Sequence, residues 1–129
     1  MYQTLRGMQD ILPAERPYWR YVTEAMHATA ALFGYQQIDT PILETAGLFV
    51  RGVGEGTDIV DKEMYSFRDK GGADITLRPE FTAGVMRAYI ENGMHVLPQP
   101  VKLYSIGPIF RHDRPAAGPA GLPRPELPA

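Results

Sequence analysis

Two arginines and an aspartate follow the strand-like run that ends at Phe110 in the segment VKLYSIGPIFRHDRP. Arg111, Asp113 and Arg114 lie within four residues of one another. A guanidinium offers a planar fork of N–H donors that suits a phosphate or a carboxylate. If the strand continues, Asp113 lies on the same face as Arg111, because side chains two positions apart share a face. The spacing predicts a nucleotide clamp beside a hydrogen-bond acceptor. An exposed Arg–Asp pair of little energetic value is the alternative.

A second polar cluster is LRPEFTA, residues 77–83, where a strand gives way to a helix. Arg78 and Pro79 end the strand, and Glu80 and Thr82 open the helix. A carboxylate and a hydroxyl at such a junction could receive a substrate ammonium group. Alternatively, Glu80 only complements the positive end of the helix dipole and Thr82 only caps the helix. That alternative leaves Arg78 unexplained.

Other candidate motifs are weaker. The glycine-rich segment GVGEGTDIVDKEMY, residues 52–65, lacks the GxxxxGK[ST] pattern of a P-loop and is typical of a flexible loop. His27, His95 and His112 have no metal-ligand spacing, so none is predicted to bind a metal, and His27 is expected on a helix surface. The sequence has no cysteine, which excludes disulfides and cysteine-based metal sites.

The elements that must position these residues begin with a helix predicted over residues 16–33. Its apolar positions recur at helical spacing, at Trp19, Val22, Met26, Ala30 and Phe33. Pro17 suits the first helical turn, where its missing N–H has no partner to lose. Gly34 suits the left-handed residue just beyond the end of the helix.

Strand patterns follow the helix. YQQID at 35–39 predicts a short strand, and EMYSFRD at 63–69 with DITLR at 74–78 predicts a β-hairpin around the glycine turn KGGA. A second helix is predicted over PEFTAGVMRAYIENG, with an apolar stripe at Val85, Met86, Tyr89 and Ile90, before the last strand, VKLYSIGPIF. This order indicates an α+β fold in which an antiparallel sheet is flanked by helices.

Composition restricts the class of protein. A chain of 129 residues is typical of one domain, and a hydrophobic share of 44% is typical of a globular protein. The formal net charge of −2 argues against a chain-wide electrostatic grip on nucleic acid. Because neither a secretory signal nor an apolar run of membrane-spanning length is visible, the expected location is the cytoplasm.

Five segments, taken together, resemble the histidyl-tRNA synthetases, a family of class II aminoacyl-tRNA synthetases. They occur in the family's order over roughly residues 5–118: RGMQDILP, GYQQIDTPILE, GEGTDIVDKEMYSF, LRPEFTA and VKLYSIGPIFRHDRP. The resemblance implies a homodimeric enzyme with an antiparallel catalytic sheet. Residues 1–114 would be the N-terminal part of the catalytic domain, with motif 1 and the first half of motif 2. Residues 115–129, rich in proline, alanine and glycine, would form an irregular tail.

The resemblance also implies roles for matching positions. Arg111 would be catalytic and would bind both the α-phosphate of ATP and the carboxylate of histidine. Glu80, Phe81 and Thr82 would bind histidine, with Glu80 and Thr82 holding its α-amino group. Asp113 would accept a hydrogen bond from adenine, at a position where the family commonly has glutamate. ATP would be a substrate, Mg²⁺ is expected with ligands outside this chain, tRNA(His) would be the acceptor, and motif 1 would form the dimer.

The resemblance weakens after Gly118, where PAGLPRPELPA replaces the family's turn and return strand. We therefore expect an incomplete catalytic core that is inactive alone. The first alternative is the synthetase-like regulatory subunit of ATP phosphoribosyltransferase, although TDIVDKEMY and Glu80 favour the synthetase. The second is a dimerisation module that needs only the first helix and the strand to Pro41. A poorly folded remnant is the third.

Overall fold

The computed structural model describes residues 1–53 and 63–112, in which short strands alternate with helices. In chain order the elements are α1 (Arg16–Leu32), β1 (Gln36–Gln37), β2 (Leu43–Thr45), α2 (Ala46–Val53), β3 (Ser66–Arg68), β4 (Asp74–Leu77), α3 (Thr82–Glu91), a 3-10 turn (Met94–Val96) and β5 (Leu103–Tyr104). The α+β class predicted from the sequence is confirmed, while the predicted tail at 115–129 lies outside the described residues.

Helix α1 has the predicted position but not the predicted packing. Pro17 lies in its first turn, and Gly34 follows its end with a φ of +78°. None of its residues is buried, and the apolar side chains Trp19, Val22 and Met26 are all exposed. The partly buried positions are instead Thr23, His27 and Ala30. His27, which was expected on the helix surface, is partly buried there, and its Nδ1 is 2.6 Å from the Tyr104 hydroxyl oxygen.

The main sheet has three antiparallel strands in the order β2–β4–β3. The hairpin predicted around KGGA is confirmed: Phe67 pairs with Ile75, and Gly72 takes the turn with a φ of +86°. Strand β2 pairs with the other edge of β4, placing Leu43 opposite Leu77. The sequence analysis missed both β2 and α2. A three-residue strand that runs directly into an eight-residue helix leaves no turn residues between the two periodic patterns.

A second, two-stranded sheet joins β1 to β5 in parallel, with Gln36 opposite Leu103. This pairing corrects two expectations, because the strand predicted at 35–39 is two residues long and the strand predicted at 101–110 covers only Leu103–Tyr104. Pro108 has no N–H to donate to a ladder, and Gly107 has no side chain to pack on a sheet. The backbone beyond Tyr104 therefore leaves the ladder.

The core lies between the three-stranded sheet and helices α2 and α3. Phe49, Thr76 and Pro79 are the largest fully buried residues. The apolar stripe predicted on α3 is covered only in part. Val85 and Tyr89 are partly buried and Met86 and Ile90 are exposed, while the buried residues of the helix are Ala83, Gly84 and Ala88. Small residues let α3 approach the sheet closely: a Cβ on Gly84 would lie 3.3 Å from Glu44 Oε1 and from Thr40 Oγ1. Within the described ranges, no helix is long and apolar enough to cross a membrane.

Candidate active site at the junction of β4 and α3

Glu80 caps helix α3. Its carboxylate accepts hydrogen bonds from the backbone N–H groups of Thr82 and Ala83, the latter at 3.1 Å from Oε1. These donors are among the first N–H groups of the helix, which have no partner within it. A carboxylate has about four lone-pair positions, so Glu80 keeps acceptor capacity for a further donor. The neighbouring Thr82 is exposed.

Phe81 lies between these two polar residues and faces a different group. The guanidinium carbon of Arg78 lies 4.6 Å from the centroid of the Phe81 ring, which is a cation–π arrangement. Arg78 is only 6% exposed, so the aromatic face covers a nearly buried cation. Helix capping did not explain why an arginine occurs at position 78. The structure shows that Arg78 lies inside the junction.

Arg111 lies beside this junction. Its Nε–H donates to the carbonyl oxygen of Pro79 at 2.8 Å, across 32 residues of sequence. Pro79 directly precedes Glu80, so this bond brings together the two polar clusters that the sequence analysis treated separately. Among the described residues, no hydrogen bond or ion pair engages the terminal nitrogens of Arg111, and the residue is exposed.

The strand predicted to run to Phe110 does not extend as far as the residue before Arg111. Strand β5 ends at Tyr104, and Arg111 follows an irregular segment. Backbone bonds to the hairpin region replace the strand: Phe110 N–H donates to Arg78 O at 2.9 Å, and His112 N–H donates to Glu63 O at 2.8 Å. The imidazole of His112 is also 3.3 Å from the Tyr65 hydroxyl, measured from Nδ1. Asp113 and Arg114, the other predicted members of this cluster, lie outside the described residues.

An apolar cleft of about 630 Å³ adjoins Glu80 and Thr82. Leu48, Met86 and Ile90 contribute apolar surface to it. The cleft lies along α3, so it extends from the proposed ammonium-binding residues over the exposed apolar side of that helix. Met86 and Ile90 belong to the apolar stripe predicted from the sequence, which did not predict a cleft.

The framework behind this site contains an ion pair in which the carboxylate is nearly buried, at 8% exposure, and the guanidinium is 29% exposed. Arg87 on α3 donates from Nη2 to Glu44 Oε1 on β2 at 2.9 Å, and it also bonds Glu91. Hydrogen bonding to Glu44 is the main cause that raises the pKa of Arg87, against the opposing effect of burial. The guanidinium is therefore charged throughout the neutral and alkaline range, and it links β2 to α3.

Sequence reasoning did not single out Gly107. A Cβ at this position would lie 2.6 Å from Arg78 Nη2, which is shorter than a real contact of this kind. The signal that could have found it is an isolated glycine within a strand-like run, because such a glycine often marks a close approach of another group. The group that approaches could not be read from the sequence.

Comparison with known proteins shows the family of the chain. Residues 7–121 match the family model described as histidyl-tRNA synthetase. A histidine–tRNA ligase from Dehalococcoides mccartyi is 61% identical over 118 residues, which are 92% of this chain and 28% of that protein. This chain thus spans about 28% of the length of that curated relative.

Solved structures support the same family and show the fold. The apo histidyl-tRNA synthetase of S. aureus has a TM-score of 0.74 at 45% identity, over 86% of this chain and 30% of that one. A Bacillus halodurans structure, named as an ATP phosphoribosyltransferase regulatory subunit/histidyl-tRNA synthetase, gives 0.72 at 27% identity, over 86% and 28%. The fold is that of the synthetase catalytic core, and the chain belongs to the histidyl-tRNA synthetase family.

Proposed function

We propose that this chain supplies the histidine- and ATP-binding part of a histidine–tRNA ligase catalytic domain. The observation that carries the proposal is the bond from Arg111 Nε to the carbonyl oxygen of Pro79. This bond joins Arg111 to the loop that contains Glu80. Among the described residues, the terminal nitrogens of Arg111 make no hydrogen bond. An anion-binding group and a cation-binding group therefore lie on neighbouring segments, as an amino acid substrate with both charges requires.

In the proposed reaction, the histidine carboxylate attacks the α-phosphorus of ATP, and pyrophosphate leaves. The carboxylate and the phosphate repel each other, and negative charge develops on the phosphate oxygens as the bonds change. Arg111 would contact both anions, hold them in line and stabilise that charge without reorganising. The Nε bond to Pro79 leaves two terminal nitrogens for this task. Histidyl adenylate would then transfer its acyl group to a hydroxyl of the 3′-terminal adenosine of tRNA(His), and AMP would leave.

The remaining site residues take supporting roles in this proposal. Glu80 and the exposed Thr82 hydroxyl would accept hydrogen bonds from the histidine ammonium group. Phe81 would border the histidine site while its ring covers Arg78. Asp113 would accept a hydrogen bond from the adenine amino group. A glutamate is common at this position in the family, and the shorter aspartate could still reach adenine through a water molecule.

The complete aminoacylation activity is proposed only for a full-length ligase, because this chain spans about 28% of the length of its Dehalococcoides mccartyi relative. Family membership favours a cytoplasmic homodimer that uses ATP. Mg²⁺ is also expected, but residues 1–53 and 63–112 contain no group of three potential metal-ligating side chains. Its ligands are expected outside this chain, and one or two carboxylates together with the ATP phosphates would suffice to hold it.

Two other functions have specific observations in their favour. The 27% identity to the Bacillus halodurans structure keeps a regulatory subunit of ATP phosphoribosyltransferase as the second candidate. Activation of that transferase by the purified chain would support this candidate. A dimerisation module is the third candidate, because the apolar side chains of α1 are exposed.

A chimera tests the proposed function. Residues 1–112 replace the segment that they match in the Dehalococcoides mccartyi ligase, and histidine-dependent ATP–pyrophosphate exchange is measured. We expect the chimera to be active and Arg111→Ala to lower its kcat by about 10²–10³-fold, as for other transition-state charge stabilisers. Arg68→Ala is the matched control, since Arg68 forms only an exposed pair with Asp74.

Two results would contradict the proposal. An inactive chimera that folds and dimerises would remove it altogether. Equal activity losses in Arg111→Ala and Arg68→Ala would remove the catalytic role of Arg111. The 129-residue chain alone is expected to show no exchange above a blank without enzyme, and exchange above that blank would contradict the expectation of an incomplete core.

A further inference from the structure

Arg78 connects three separate segments at the junction of β4 and α3. Its backbone N–H donates to Ile42 O at 2.8 Å, and its carbonyl oxygen accepts from Phe110 N–H at 2.9 Å. Its side chain donates from Nε to Pro108 O at 2.8 Å and from Nη1 to Thr40 O at 2.9 Å. One residue thus fixes the chain before β2, the end of β4 and the segment that leads to Arg111.

The chemistry of this side chain points to a geometric task. Arg78 is 6% exposed, and its described partners are neutral carbonyl oxygens and the ring of Phe81. A buried charge is costly unless it is well hydrogen-bonded, so an apolar residue would fill the same space more cheaply. An apolar residue could not hold two carbonyl groups from distant segments in a fixed relation. The planar fork of a guanidinium can do so.

Gly107 fits this interpretation. A Cβ there would lie 2.6 Å from Arg78 Nη2 and 3.9 Å from an edge carbon of Phe81. The backbone of Gly107 is not in the left-handed region, so its φ does not demand glycine. Glycine is required here because the guanidinium of Arg78 lies where it would clash with a Cβ. Arg78 and Gly107 are therefore coupled positions 29 residues apart in sequence.

We infer that Arg78 is the positioning residue of the site: its guanidinium holds the segment 107–111 against the β4–α3 junction and so sets where Arg111 stands relative to Glu80. The side chain bonds Pro108 and the backbone bonds Phe110, the two residues on either side of Ile109. Arg111 in turn bonds Pro79, the residue after Arg78. The positioning rests on these contacts alone, and its consequence for catalysis rests on the function proposed above.

A double-mutant cycle in the 129-residue chain tests the contact. Gly107→Ala, Arg78→Met and the double variant are compared with the unmodified chain by urea unfolding. We expect Gly107→Ala to lower the folding equilibrium constant when Arg78 is present. The loss should shrink on the order of tenfold in the Arg78→Met background, whose flexible side chain can yield. Additive effects would overturn the inferred coupling.

A second measurement reads the position of Arg111 directly. The Nε–H groups of the arginines are followed by NMR, and their hydrogen exchange rates are compared in Arg78→Lys and in Arg87→Lys. Arg87 is the matched control because it also links a strand to α3 by side-chain bonds, to Glu44. Arg78→Lys should speed exchange at Arg111 Nε–H by roughly three- to tenfold, and Arg87→Lys should leave it unchanged. Equal effects of both variants, or no effect of Arg78→Lys, would overturn the inference.

Kinetics in the chimera test the consequence for catalysis. We expect Arg78→Lys to lower kcat for ATP–pyrophosphate exchange on the order of ten- to hundredfold with a smaller change in KM, because a misplaced guanidinium still binds but aligns poorly. Arg68→Lys should leave kcat within about twofold, because the Arg68–Asp74 pair is exposed on both sides. If Arg78→Lys leaves kcat unchanged, the inferred effect of Arg78 on catalysis is overturned. If the unmodified chimera is inactive, the proposed function fails, while the cycle and the exchange rates still decide the positioning role.

Discussion

The sheet–helix unit, formed by β2–β4–β3 with α2 and α3, differs sharply from helix α1 in how its residues are covered. The unit contains the fully buried Phe49, Thr76 and Pro79. Helix α1 is longer than either of the other helices, at 17 residues, and none of its residues is buried. Polar contacts link it to β5 and the preceding residue, including His27 to Tyr104 and Lys102 Nζ to Phe33 O at 3.4 Å.

This difference separates two kinds of role. Glu80 and Thr82 lie on the sheet–helix unit, and Arg111 bonds to it through Pro79. The site geometry is therefore built on residues that bury one another. The apolar side chains of α1 gain little from the rest of the described chain, so their hydrophobic free energy is still available to another surface.

The largest effect that distinguishes the two regions is expected from Phe49→Ala. Phe49 is 0% exposed, and truncation of a buried phenylalanine costs about 3–5 kcal/mol. Trp19→Ala on α1 removes a larger side chain that is 37% exposed, so it should cost less in the same chain. Urea unfolding of the 129-residue chain measures both. If Trp19→Ala costs more than Phe49→Ala, α1 is part of the core and the comparison fails.

The elements that extend over many residues, or that are separated by a clear turn, could be predicted from the sequence. Helix α1 was predicted to within one residue at its C-terminal end, because its apolar spacing, Pro17 and Gly34 agree. The hairpin was predicted because KGGA separates two alternating runs. The pairing of β1 with β5 was not predicted. Two residues are too few to show a period, and their partner is 67 residues away.

The site was predicted only as separate parts. Glu80, Thr82 and Arg111 were recognised from residue type and from family resemblance. Their proximity depends on a bond from Arg111 to a backbone carbonyl 32 residues earlier. The role of Arg78 depends likewise on the carbonyl oxygens of Thr40 and Pro108. Every residue has a carbonyl group, so such partners carry no sequence signal.

An intermediate effect is expected from Glu44→Gln, which tests the framework of the sheet–helix unit. The Glu44 side chain is 8% exposed and carries the main bond to Arg87. Removing its charge leaves a guanidinium with less compensation, although Glu91 still pairs with it, so we expect a loss of about 2 kcal/mol. Asp74→Asn is the control, because the Arg68–Asp74 pair is exposed on both sides and should contribute less than about 1 kcal/mol.

The pH dependence sharpens this test. A raised pKa for Arg87 means that its contribution to stability is complete below the ordinary arginine pKa and is lost only as pH rises through the higher folded value. Both values lie far above neutrality, so the stability lost in Glu44→Gln should be the same at neutral and at moderately alkaline pH. If the difference in unfolding free energy between Glu44→Gln and Asp74→Asn disappears at moderately alkaline pH, a group other than Arg87 causes that difference.

The smallest effect on stability, and the clearest effect on association, is expected from Val22→Asp on α1. Val22 is 53% exposed, so the unfolding free energy of the isolated chain should change by less than about 1 kcal/mol. Ala28→Asp is the matched control, because position 28 is exposed, lies about 120° around the helix from position 22 and carries the larger loss of helix propensity. If the apolar face of α1 pairs with a second copy of the chain, Val22→Asp should weaken self-association in sedimentation equilibrium and Ala28→Asp should not.

A chain that is monomeric at all concentrations before substitution would show that this face pairs with something other than its own copy. Equal weakening by both variants would trace the effect to helix stability, because only a contact on one face distinguishes position 22 from position 28.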